Sequence, residues 1–152
     1  MVNSMKDGAA YFTALSIEVG QTKRAVEKAC RIIRDESKRV LGTYDYGWPS
    51  LAESTIDRKE TGDSPGLETG TMRSSVRFAV TGTRLDWTGI VGTDDPHALW
   101  FELGTRRQPP RSFLAAAAMV KEREIKRILG YDMVHSLFTR HPDDDGSYDA
   151  ED

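Results

Sequence analysis

Residues 75–92 read SVRFAVTGTRLDWTGIVG, and this stretch decides the fold class. Val76, Phe78 and Val80 alternate with Ser75, Arg77 and Ala79, the period of a strand with one buried face. A Thr81–Gly82–Thr83 turn leads to a second run, Leu85 to Val91, in which Trp87 and Val91 are in phase around Gly89. The two runs predict a β-hairpin, although the connection lacks the Asn-Gly signal of the tightest turns.

On either side of the hairpin the period is helical. From Ala9 to Leu41, Val19, Val26, Cys30, Ile33, Ser37 and Val40 fall on one stripe, with Gly20 marking a break and Gly42 a stop. The other faces of this run carry Lys23, Arg24, Lys28, Arg31, Arg34, Lys38 and Arg39. Spacing pairs Glu27 with Arg31 and Asp35 with Arg39 at i, i+4. After a loop at 43–47, Trp48–Pro49 opens a short helix that puts Trp48, Leu51, Thr55 and Ile56 on one face. Glu60 to Gly66 reads as an exposed, mobile loop, and Gly92 to Pro96 as a turn. Ala98 to Leu103 fits one or two helical turns capped by Gly104. Arg106 to Arg111, with Pro109–Pro110, must be extended, because proline excludes its predecessor from helical geometry. Ser112 then serves as N-cap of a last helix, Phe113 to Leu129, with Gly130 past its end. The expected fold is α+β: a small antiparallel sheet packed by a long N-terminal helix and a C-terminal helix.

Composition divides the chain. Net charge is −3, but the last ten residues carry six acids and no base. Without them 21 basic side chains face 18 acidic ones, a body of about +3. We therefore expect one domain over 1–130 and an acidic, flexible tail over 131–152. No stretch approaches the roughly 20 apolar residues of a membrane span, and the first residues lack a secretory layout, so a cytoplasmic chain without membrane contact is expected. The single Cys30 excludes an internal disulfide and reads as a small buried hydrophobe.

Motifs for chemistry are sparse. His97 with Asp94 and Asp95 is the one local group resembling metal ligands, and a solvated turn before Pro96 explains it more simply. No phosphate-cradling glycine loop and no nucleophile elbow is present. A hydrolase using Glu68, Glu102 or His97 would need groups that nothing in the sequence brings together. No catalytic residue, metal or cofactor is expected. The Arg106, Arg107 and Arg111 cluster beside two prolines suits contact with carboxylates on a neighbour or with phosphates.

Separated blocks carry a family resemblance. They are Trp48-x-x-Leu51-x-x-x-Thr55; Leu67-x-Thr69-Gly70-x-Met72-Arg73-x-Ser75; Val91-Gly92-Thr93 before Pro96-x-Ala98; Phe101-Glu102-x-Gly104-Thr105; and Pro109-Pro110-Arg111-x-Phe113-Leu114. In this order and spacing the sequence resembles the tail-completion, neck or head–tail joining proteins of long-tailed double-stranded-DNA phages. His97 stands where that family usually has tyrosine, and Glu68 where aspartate is common.

The resemblance implies a structural virion protein, assembled in the host cytoplasm, that forms a ring, commonly six-fold, in the neck or at the head-proximal end of the tail. Implied partners are further copies of the chain, the tail tube protein and the head connector, with DNA passing through the lumen without sequence reading. Such rings close by heterologous contacts. Arg73, Glu102, Thr105, Arg106, Arg107, Pro109, Pro110 and Arg111 are the candidate contact residues. Trp48, Leu51, Thr69, Gly70, Gly92, Gly104 and Phe113 are the candidate structural ones. The alternative is a DNA-binding module using the basic helix and the arginine arm.

Overall fold

The computed structural model describes residues 12–20, 23–84 and 86–139. In chain order the elements are β1 (Phe12–Gly20), α1 (Lys23–Val40), α2 (Glu53–Ile56), α3 (Thr71–Ser75), β2 (Arg77–Thr83), β3 (Asp86–Thr93), α4 (Pro96–Leu103), α5 (Leu114–Val120) and α6 (Glu122–Thr139). The fold is α+β, as the period change predicts. Its antiparallel sheet has the order β1-β3-β2, and α1 lies across it.

The first strand corrects the sequence reading. Residues 12–20 are not helical; they pair with β3 from Phe12↔Thr93 to Gly20↔Asp86. Leu15, Ile17 and Val19 alternate with Ser16 and Glu18, a period-2 signal masked by the strong helical pattern downstream. Gly20 ends a strand, and Val19 leaves the helical stripe.

The hairpin forms with both strands longer than expected. Thr81 to Thr83 continue β2, and Gly92 and Thr93 continue β3. Phe78 faces Val91 and Gly82 faces Trp87 in the ladder. The turn moves to the two residues between Thr83 and Asp86, where Arg84 adopts φ 53°. A two-residue connection matches the strand twist only with left-handed backbone.

The remaining α1 stripe is as expected: Val26, Cys30, Ile33, Ser37 and Val40 are all buried. Ser37 donates its hydroxyl to the Ile33 carbonyl at 2.7 Å, so this polar member leaves no unpaired hydroxyl in the core. The helix meets the sheet at Gly89, where an added Cβ would lie 2.3 Å from the Cys30 Sγ and 2.8 Å from a Val26 methyl. Leu41, Trp48, Val76, Val91, Phe101 and Phe113 extend the same core beyond the helix.

Three connections also differ from expectation. Trp48–Pro49 does not open a helix; α2 starts at Glu53. The Pro49 and Ser50 carbonyls instead accept from Arg111, which removes them from helical bonding. Residues 60–66 form a turn-rich segment tied internally by bonds such as Gly62 N–H to the Lys59 carbonyl, with Pro65 buried. The C-terminal helix breaks at Lys121 (φ −92°, ψ 3°) and resumes as α6. Gly130 lies inside α6, which runs across the expected 130/131 boundary to Thr139. Its φ is not positive, so the left-handed backbone that ends helices is missing there. The acidic segment 143–152 lies outside the described residues. No helix among the described residues is long and apolar enough to cross a membrane.

Candidate interaction site

The candidate site is built on the connection between α4 and α5. Asp95 caps α4 by accepting the His97 backbone N–H at 2.9 Å, and Pro96 occupies the first turn. Ala98, Phe101 and Glu102 form the inward face. At the other end Gly104, at φ 74°, sends its N–H to the Trp100 carbonyl. A Cβ on Gly104 would lie 2.7 Å from the Pro110 nitrogen and 2.8 Å from the Gln108 carbonyl oxygen, so the returning chain fits only against glycine.

The segment that follows is a closed turn and not the extended arm expected. Thr105 N–H donates to the Gln108 carbonyl at 2.8 Å, and the Thr105 hydroxyl accepts the N–H groups of Arg107 and Gln108. The threonine side chain folds the backbone before the prolines stiffen it. Arg106 and Arg107 stand exposed at the tip, and Pro109 and Pro110 are exposed on the return.

Both feet of this turn are braced by buried charge. Arg111 is 3% exposed and donates to the Pro49 and Ser50 carbonyls at 2.9–3.1 Å. Its own N–H reaches the Phe101 carbonyl at 2.7 Å. Glu102 is also buried, and its carboxylate accepts from Phe113 N–H at 2.6 Å, from Leu114 and Ala115 N–H at 3.1 Å, and from the Ser112 hydroxyl at 2.7 Å. These are the amide groups left over at the start of α5, where negative charge is favoured. Thus Ser112 is not the sole cap; a carboxylate from α4 does most of that work. Trp48 closes the cluster, donating its indole N–H to the Ser112 carbonyl at 3.1 Å and packing edge-on to Phe101.

The candidate contact residues therefore divide. Glu102 and Arg111 are buried and bonded within the chain. Arg73, carried by α3, donates to the Leu41 carbonyl at the end of α1 and is likewise internal. Thr69 is exposed and accepts the Thr71 N–H at 3.4 Å, while Gly70 starts α3 in left-handed backbone. Gly92 is buried in β3 opposite Arg77, Phe113 is fully buried, and Leu51 is half-buried. Arg106, Arg107, Pro109 and Pro110 remain available.

The structure adds apolar surface that the motifs do not identify. Trp100 is 51% exposed and Leu103 66%. His97 sits edge-on to Trp100, with ring centroids 5.5 Å apart. Trp100, Gln108, Leu51 and Glu68 border an open groove of about 460 Å³. The signal was the unbroken run Ala98–Leu99–Trp100–Phe101, more apolar surface than one face of a two-turn helix can bury.

Chemistry finds little to build on. Asp94 pairs with Arg77, and Asp95 is spent on its cap and on the His97 ring. Among the described residues no three His, Cys, Asp or Glu side chains gather as metal ligands would. The Glu102 oxygens accept from the α5 amides, whereas Glu68 is exposed at the rim of the groove. No family model, curated protein or solved structure matches the chain.

Proposed function

We propose that the chain is a structural virion protein of a tailed phage, a tail-completion or head–tail joining component that works as a homo-oligomeric ring and not as an enzyme. One observation carries this reading. Trp48, from a distant sequence block, meets Glu102, Gly104, Arg111 and Phe113 from two later ones in one braced cluster, which leaves Arg106 and Arg107 exposed on the turn that follows α4, the helix carrying the exposed Trp100 and Leu103.

A contact surface of this kind has an aromatic anchor, apolar area and planar cations, the residue types enriched at interfaces. Because the turn is ordered before docking, less entropy is lost on association. The implied partners are neighbouring copies, the tail tube and the head connector, with DNA threading the lumen. The reading covers a station in the neck as well as one at the end of the tail.

The test is the oligomeric state of Arg106→Glu combined with Arg107→Glu. We expect the unaltered chain to form rings in light scattering and the double variant to remain a folded monomer by circular dichroism. A ring of unchanged mass from the double variant would remove the turn from the interface. A parent chain that stays monomeric at high concentration would sink the ring itself.

A further inference from the structure

On a helix surface, opposite charges at i, i+3 and i, i+4 stabilise the helix, and like charges at those spacings destabilise it. In α1 the two expected pairs, Glu27 with Arg31 and Asp35 with Arg39, do not form; these acids take other partners, and two of the observed pairs, Lys23–Glu27 and Glu36–Arg39, are themselves at helical spacing. Glu27 faces Lys23 at 3.8 Å, Asp35 faces Arg34 at 2.6 Å, and Arg39 binds Glu36 at 2.7 Å as well as Asp45. Arg24, Lys28, Arg31 and Lys38 are left with no carboxylate partner among the described residues.

These cations form a ridge. At about 100° and 1.5 Å per residue they fall within an arc of about 80° and span about 21 Å, opposite the buried Val26, Cys30 and Ile33. Arg24, Lys28 and Arg31 are exposed and Lys38 is half-buried. Asp35 shares the arc, but Arg34 neutralises it. The first turn of α1 holds no acid, so Lys23 and Arg24 face the positive end of the helix dipole. Neighbouring cations on the ridge repel one another as well. Neither feature helps α1 fold.

We propose that this ridge binds the phosphate backbone of duplex DNA. A band of cations about 21 Å long matches the length of about six base pairs at roughly 3.4 Å each. Positions 24, 28, 31, 35 and 38 carry no aromatic side chain, so the ridge lacks the stacking platform on which single-strand binding relies. Contacts of this kind hold the duplex without reading its sequence. The inference stands on the charges of α1 and does not depend on ring formation.

Fluorescence anisotropy of the full chain with a labelled random duplex of about 30 base pairs tests it. With four phosphates engaged, log affinity should fall against log salt with a slope of about −3.6, a loss of roughly 150-fold between about 50 and about 200 mM. Replacing Arg24, Lys28, Arg31 and Lys38 by Gln should abolish most of that dependence while the circular dichroism spectrum stays unchanged. Arg106→Gln with Arg107→Gln should leave the slope in place. The proposal is overturned by an unaltered chain that does not bind the duplex, or by a slope that the fourfold variant retains. Equal or tighter binding to single-stranded RNA of the same length also overturns it.

Discussion

The Glu102 carboxylate accepts the Phe113 backbone N–H at 2.6 Å, joining the last turn of α4 to the first of α5 across a ten-residue excursion. The same carboxylate also holds the N–H groups of Leu114 and Ala115, so the two helices flanking the arginine turn are fixed by one side chain. The turn between them can then be exposed on every other side and still keep its shape.

Glu102→Ala should therefore be costly. It leaves the first amides of α5 without their anionic partner and opens space in the core beside Phe113. Hydrogen bonds to a charged group contribute roughly 1.5–3 kcal/mol, so a loss of about 3 kcal/mol is expected from urea unfolding. Glu102→Gln should recover part of it, since one amide oxygen can still accept. If Glu102→Ala unfolds at the parent's midpoint, the cap is not holding α5.

Gly89 makes a second expectation concrete. Its absent side chain lets α1 approach the sheet, and an alanine there would intrude on Cys30 and Val26. Overpacking of this kind costs roughly 1–3 kcal/mol, and Cys30→Ala in the same chain should relieve much of it. Burial, with a smaller contribution from Glu27, pushes the Cys30 thiol up to about 11. In the folded parent, then, Cys30 should resist thiol reagents near neutral pH and react only on unfolding. Additive losses in the double variant would rule out the close contact as the cause.

How far the fold can be read from the residues follows from the range of the interactions involved. The hairpin and the buried stripe of α1 are local patterns, and both form, although the hairpin's turn lies beyond Thr83 and Val19 drops out of the stripe. β1 fails because its short alternation runs into a longer helical one, and only pairing with β3, about seventy residues away, decides between them. The same holds at the site. Gly104 as a cap is a local reading and is correct. Glu102 and Arg111 look like available charges in sequence, yet Glu102 is satisfied by the start of the next helix and Arg111 by carbonyls of a remote segment, which no spacing rule reports. Arg106 and Arg107 keep their exposed role because Thr105 closes the turn locally.

The carboxylate of Glu36 ties α1 to the two segments packed against its end. It is buried, accepts from Arg39 at 2.7 and 3.0 Å and from the Tyr46 hydroxyl at 2.9 Å, and lies 3.8 Å from the Lys121 ammonium. The Arg39 hydrogen bonds hold it below the ordinary glutamate value despite the opposing effect of burial, with Tyr46 and Lys121 adding to the lowering. A depressed acid stabilises the fold fully above its unfolded value, roughly 4.3, and that contribution is lost as pH falls through the folded value. Glu36→Gln should therefore be less stable than the parent at pH 7, by roughly 1–2 kcal/mol for the charged hydrogen bonds removed. As pH drops below about 4.5 the parent should lose stability faster, and the two curves should converge. Urea midpoints measured at intervals from pH 7 to about pH 3 would show this narrowing. A gap that stays constant over that range would mean that the ionised form of Glu36 contributes nothing to the fold, and that its bonds to Arg39 and Tyr46 act only as neutral contacts.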